Sequence, residues 1–164
     1  MAGKPAGGTP ATDALTAAGI SFTLHSYTHH DDSRDFGAEA ARELGVDELR
    51  IFKTLVVDIG LGRPPLAVGV VPVAGQLDLK AFAAAAGAKK AAMAKPAEAS
   101  RSSGYVVGGI SPIGQKTPLP TVLDETAQLF DTIFVSAGKR GLQVELTPDD
   151  LLAITGARWA DIAR

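Results

Sequence analysis

Three groups of residues in this sequence could do chemistry, and none contains a cysteine. The first is the run Ser103-Gly104-Tyr105-Val106-Val107-Gly108-Gly109-Ile110-Ser111-Pro112-Ile113-Gly114-Gln115-Lys116. Its Tyr105-Val106-Val107 start predicts a short strand. Gly108 and Gly109 can take positive φ and leave backbone N–H groups uncovered by any Cβ. Pro112 fixes its own φ and keeps Ser111 out of the helical region, so the loop is both permissive and stiff. Such a loop either presents N–H groups to an anion or polarised carbonyl, or is a glycine turn with no chemistry. The second group is Lys53, alone in the apolar run Ile51-Phe52-Lys53-Thr54-Leu55-Val56-Val57-Asp58. A lysine there points into a cleft or blunts an exposed sheet edge. The third is His29-His30-Asp31-Asp32. Four consecutive residues point several ways, whereas metal ligands must converge, so no metal site is expected.

The missing cysteine removes disulfides, thiolate metal ligands and a protein thiol nucleophile together. It is compatible with a reducing cytosol, and a cytoplasmic location is expected. Ser111 has no histidine at a spacing that would supply a base. The chain has 164 residues, enough for one domain with a real core. Apolar residues make up 46% and charged residues 21%, the balance of a folded protein. A formal charge of −2 provides no global basic field, so any contact with nucleic acid must be local. No apolar run approaches the ~20 residues of a membrane span. Residues 1–8 include Lys4 but no apolar core, and read as a loose tail rather than a signal peptide.

The elements that must position these groups follow from punctuation and periodicity. Thr9-Pro10 is a hydroxyl cap with proline at N1, opening a helix that Gly19 closes. Ile20 to Tyr27 alternates as a strand, with Ile20, Phe22 and Leu24 on one face. Phe36 to Leu44 is helical and stops at Gly45. Ile51–Asp58 and Leu66–Val73 are strands around the loop from Gly60 to Pro65. Lys80–Ala86 and Met93–Ser100 are helices, Thr121–Asp124 a strand, and Glu125–Leu129 a turn or short helix. Thr132–Ser136 and Leu142–Leu146 pair around the cationic turn Ala137-Gly138-Lys139-Arg140-Gly141. Thr147-Pro148 caps a further helix, and a last short helix carries Arg158, Trp159 and Ile162. The expectation is one α+β domain over 9–164, built on a curled, barrel-like, mixed or antiparallel sheet with interspersed helices.

Three separated stretches carry a resemblance. Phe52-Lys53-Thr54-Leu55, Val107 to Gly114, and Ser136-Ala137-Gly138-Lys139-Arg140-Gly141-Leu142 through Glu145 resemble the YbaK/EbsC proteins. These are trans-editing aminoacyl-tRNA deacylases related to the insertion domain of bacterial prolyl-tRNA synthetases. The likeness runs from about Thr9 to Ile162 and is strongest to the branch that removes Cys from tRNA(Pro). It implies a deacylase that needs neither metal nor cofactor, acts on the acceptor end of a mischarged tRNA, and has prolyl-tRNA synthetase as a candidate partner. It further implies catalytic roles for Lys53 and for the loop Gly108, Gly109, Ile110, Ser111 and Pro112. Tyr27, Phe36, Ser136, Gly138 and Asp149 become candidate substrate contacts, and Lys139 and Arg140 weak tRNA contacts. In the cysteine branch the substrate's own thiol attacks its ester carbonyl and leaves as a thiolactone, which suits a chain without a nucleophile of its own. Two other readings stay open: removal of another amino acid, as from Ala-tRNA(Pro), and a non-catalytic module that binds tRNA or a synthetase.

Overall fold

The computed structural model describes residues 8–164, so the expected tail over 1–8 lies, apart from Gly8, outside the described residues. Helix α1 (Pro10–Ala17) starts where Thr9 caps it, with Thr12 returning the bond in a capping box. It buries Ala11 and Leu15. The remaining helices are α2 (Phe36–Leu44), α3 (Leu79–Ala85), α4 (Pro96–Ser103) and α5 (Pro148–Thr155). Gly45 and Gly156 end α2 and α5 in the left-handed conformation that glycine permits.

The strands form two sheets. Strands β1 (Thr23–Ser26), β6 (Ile133–Lys139) and β7 (Leu142–Leu146) make an antiparallel sheet ordered β1-β7-β6. Strands β2 (Phe52–Asp58), β3 (Leu66–Pro72), β4 (Ala92–Met93), β5 (Thr121–Asp124) and β8 (Arg158–Ala160) make a mixed sheet ordered β4-β2-β3-β5-β8. Within it β2 is antiparallel to β3 and β4, whereas β5 is parallel to β3 and β8. A single bridge between Ile51 and Phe134 links the two sheets. The α+β single domain is therefore as expected, but the sheet does not close into a barrel. It splits, because β2 and β6 pack together without pairing, the bridge falling at Ile51 just before β2.

Among the described residues four apolar clusters hold the sheets. The largest gathers Leu15, Phe52, Val70, Tyr105, Ile113, Leu123, Val135, Val144 and Leu151. The second packs α3 through Phe82 onto Val57, Ala67, Val71, Val122 and Ile162. Two are small: one joins Ala40 and Ala41 to Ile51 and Phe134, and one joins Val56, Leu66 and Ala99. Gly69 interrupts β3 for a reason of space: a Cβ there would stand 3.0 Å from the Phe82 ring. Pro72 occupies the end of β3, where a missing N–H costs least.

Three local expectations are corrected. Tyr105-Val106-Val107 is no strand: Gly104 ends α4 left-handed, and Tyr105 is drawn into the core while Val106 and Val107 stay exposed. Burial of the tyrosine outweighs the β-propensity of the run. Arg158-Trp159-Ala160 is a strand, not a helix, because β5 offers it a parallel edge. Helix α4 begins at Pro96, with Ala92 and Met93 instead pairing with the end of β2.

Candidate functional site

A cavity of about 460 Å³ opens where β2, the start of α2, the start of α4 and the glycine loop converge. That volume lies within the ordinary range for small-ligand sites. Its walls are mostly apolar: Phe36, Phe52, Leu55, Val73, Met93, Ala99, Val107 and Ile110 all contribute. Lys53, Thr54, Ser136 and Gln143 supply polar side chains to its wall, and Arg34 and Asp35 just before α2 add a further cation and a carboxylate.

Lys53 donates from Nζ to the carbonyl of Gly75 at 2.8 Å. Burial pushes its pKa below the ordinary lysine value. Among the described residues no carboxylate lies within ion-pair distance of its ammonium. The register places Lys53 opposite Val71 on β3, while β4 covers only Val57 and Asp58 on the other side. The lysine thus sits where the outer flank of β2 is open, on a cavity wall. Next to it, Thr54 Oγ1 and Gln143 Oε1 are buried with no hydrogen-bond partner among the described residues. Unpartnered buried acceptors and donors cost about 1–3 kcal/mol each. In a cavity they are the atoms a polar ligand would satisfy.

The glycine loop is held by side-chain hydrogen bonds along its length. Tyr105, buried and with its phenol pushed up to about 12 chiefly by that burial, donates to the Ile113 carbonyl at 2.6 Å. Ser111 is fully buried, and its Oγ accepts the Ile113 N–H at 3.2 Å. Ser136 Oγ donates to the Gly109 carbonyl at 3.1 Å and accepts the Gly138 N–H at 3.2 Å. Gly109 must be glycine because a Cβ would stand 2.7 Å from Lys139 Cα. Gly108 has φ +89°, and a Cβ on it would stand 2.8 Å from both the Phe36 ring and Arg140 Nε. The two glycine N–H groups differ. Gly109 N–H is spent on the Val106 carbonyl at 2.9 Å, whereas those of Gly108 and Ile110 have no partner among the described residues.

The expected site residues therefore divide. Lys53, Gly108, Ile110, Phe36 and Ser136 share the cavity. Gly109, Ser111 and Pro112 stand behind it and shape the loop. Tyr27, Lys139 and Arg140 line a neighbouring recess together with His29 and Gly141. The Tyr27 phenol is raised, by burial foremost, against opposing polar contributions from Gly141 and Gln143. Gly138 makes room for the Tyr105 ring, 2.8 Å from where its Cβ would be. Asp149 is exposed in the first turn of α5 and lines neither space.

The polar loop before α2 does structural work through a residue the sequence reading passed over. Glu39, 2% exposed, takes His29 Nδ1 on one oxygen at 2.6 Å and the His30 N–H on the other at 2.9 Å. Burial, the largest influence, works upward on Glu39, but these bonds outweigh it and hold the carboxyl below the ordinary range. Glu39 stands one turn after Phe36, so this clamp fixes the segment that delivers the Phe36 ring to the cavity. Thr54, Gln143, Tyr105 and Glu39 were all missed. Thr54 and Gln143 had a weak signal, a polar residue inside a strongly β-forming run; the other two had none.

Residues 30–154 match the aminoacyl-tRNA editing domain family. Over 122 residues the chain is 46% identical to the candidate Cys-tRNA(Pro)/Cys-tRNA(Cys) deacylase EbsC of Enterococcus faecalis, covering 74% of this chain and 73% of that one. Among solved structures, it is similar to a candidate trans-editing enzyme for prolyl-tRNA synthetase, with a TM-score of 0.81 and 28% identity. That match covers 94% of this chain and 95% of the other. The hypothetical protein APE2540 matches with a TM-score of 0.82 and 27% identity, over 94% of this chain and 99% of its own.

Proposed function

This chain belongs to the aminoacyl-tRNA editing domain family, and from that premise we propose that it removes cysteine from Cys-tRNA(Pro) by a reaction in which the substrate supplies the nucleophile. One observation carries the mechanism: the cavity brings together cations and a backbone N–H without a partner but no activated nucleophile, its one carboxylate, Asp35, being held by Ser33 and Arg42. The chain has no cysteine, and none of its three histidines lines the cavity. Ser136 is committed to the loop through both of its bonds, and Ser111 is buried away from the cavity. The name of the Enterococcus relative supports the choice of amino acid.

The chemistry balances without a cofactor. The cysteinyl thiol loses its proton to water, as a few per cent of thiols do at neutral pH, and the thiolate sulfur bonds to the carbonyl carbon of its own ester. The carbonyl π-electrons move onto oxygen, and in this reading the unpartnered Gly108 and Ile110 N–H groups hold that oxyanion. Collapse breaks the bond from carbon to the ribose oxygen, which takes up a proton. The products are free tRNA and a cyclic thioester, which water opens later. Binding holds sulfur against carbonyl, so proximity provides much of the rate. Lys53 neutralises negative charge on the acceptor end, a terminal phosphate or the departing ribose oxygen. Thr54 and Gln143 satisfy polar atoms of the aminoacyl group, and Phe36 walls its side chain. Prolyl-tRNA synthetase is the partner that would present this substrate, a reading the similarity to a candidate trans-editing enzyme supports. The test is deacylation of tRNA(Pro) charged with Cys, Ala, Ser or Pro. Preference for Cys is expected; turnover of Ala instead would replace the substrate, and no turnover of any would leave a binding module.

A further inference from the structure

Arg140 stands in the recess beside the cavity, and its contacts are unusual for a surface cation. Its Nε and Nη2 both donate to one oxygen, the Val107 carbonyl, at 2.9 and 2.7 Å. Its guanidinium lies over the Phe36 ring, 4.8 Å from the centroid. Among the described residues no carboxylate pairs with it. The Val107 carbonyl belongs to the same peptide unit as the Gly108 N–H. That unit is trans, since the one cis bond among the described residues is Arg63–Pro64. In a trans peptide the C=O and N–H leave opposite edges of one plane. With the carbonyl edge held by Arg140, the amide edge faces away from that guanidinium, and Gly108 itself lines the cavity. A charged donor pair on the carbonyl also polarises the peptide and strengthens its N–H as a donor.

We propose that Arg140 is a positioning residue, one that aims and strengthens the Gly108 N–H as an oxyanion donor by clamping the Val107 carbonyl. Ser136 holds the next unit but one, its Oγ donating to the Gly109 carbonyl, so the loop is fixed on both sides of Gly108. The pair comes from one hairpin, Ser136 on β6 and Arg140 in its turn, so the hairpin is a template for the loop. The Phe36 ring backs the guanidinium, and glycine at 108 is required because a Cβ would intrude between them. The inference rests on the deacylase reading, but it assigns Arg140 to the loop and not to tRNA phosphate.

The two assignments separate in kinetics. Wild type, Arg140→Lys and Arg140→Gln would be compared on Cys-tRNA(Pro) and on 3′-cysteinyl adenosine, which has no phosphate. Lysine keeps the charge but cannot place two donors on one oxygen. The expectation is a fall of about 10²-fold in kcat, of similar size on both substrates, with KM little changed. A phosphate contact would instead raise KM on the tRNA alone, and that result overturns the proposal. A second readout needs no variant. In the 15N-labelled wild-type protein, a non-hydrolysable 3′-amide analogue of cysteinyl adenosine should shift the Gly108 and Ile110 amide resonances. Unmoved amides overturn the proposal even if both variants fail to fold. A wild-type protein inactive on every charged tRNA would overturn the deacylase reading and this inference with it, whereas an active one with undiminished kcat in Arg140→Lys overturns this inference alone.

Discussion

Replacing Gly108 by alanine separates a structural turn from an oxyanion donor, and the structure sets both magnitudes. Gly108 holds φ +89°, where an L side chain costs about 1–2 kcal/mol. The new methyl group would also stand 2.8 Å from the Phe36 ring and from Arg140 Nε, closer than carbon atoms tolerate, so the ring and guanidinium must retreat. The ring can give by a few tenths of an ångström, which puts total destabilisation at about 2–3 kcal/mol. For a domain of this size that lowers Tm by roughly 4–12 °C. Native domains have about 5–15 kcal/mol in hand, so the variant stays folded at 25 °C. Loss of one well-aimed oxyanion donor costs about 10²–10³ in kcat. Single-turnover deacylation, with the folded fraction measured on the same sample, reads both effects. The expected result is a folded protein with a kcat down by about 10² or more and KM nearly unchanged, because the donor acts in the transition state. A loss of rate no larger than the loss of folded protein would refute the oxyanion role and leave the loop a turn.

Two further substitutions test the other polar groups of the cavity. Lys53→Met should abolish most deacylation while leaving a folded protein; wild-type turnover would remove Lys53 from the site. It also has a pH signature. The lysine's folded pKa is below its unfolded value near 10.5, so between the two the unfolded chain binds more protons and stability rises with pH. Thermal melts across that alkaline window should show wild type gaining on Lys53→Met as pH climbs, and parallel curves would contradict the assigned burial. Thr54→Val keeps the shape and removes a buried hydroxyl without a partner. It should raise stability by about 1 kcal/mol while weakening substrate binding; a drop in Tm would mean the hydroxyl is satisfied in the free protein.

Much of the scaffold was legible because its signals are local. Thr9-Pro10 and Thr147-Pro148 each opened a helix, and Gly45 closed one. Strands β2, β3, β6 and β7 followed from their β-branched runs. Tyr105–Val107 was misread because its local pattern is that of a strand, whereas burial in the core and the bond to the Ile113 carbonyl turn the tyrosine inward. Trp159 was misread because three residues carry too little periodicity to tell strand from helix, and the edge of β5 decided it. At the site, Lys53 was conspicuous as a charge in an apolar run, but its meeting with Gly108 across the cavity is tertiary and entered through family resemblance. Arg140 was read from the resemblance as a weak tRNA contact in a cationic turn. Its bond to Val107 joins residues 33 positions apart, which no local pattern encodes.

The central claim is that the substrate provides the nucleophile, and tRNA(Pro) charged with Cys or with Ser tests it most directly. The two aminoacyl groups differ by sulfur for oxygen at one atom, so a shared cavity separates their binding by about 1–3 kcal/mol at most. Their nucleophilicity differs far more: at neutral pH a few per cent of a cysteine thiol is thiolate, whereas an unassisted serine hydroxyl stays protonated. Rapid-quench single turnover with mass spectrometry gives both the rate and the first product. The account predicts that Cys-tRNA reacts far faster in kcat, with the cyclic thioester appearing before free cysteine. Comparable rates for the two, with free amino acid formed directly, would mean that the cavity activates water, and would contradict the account.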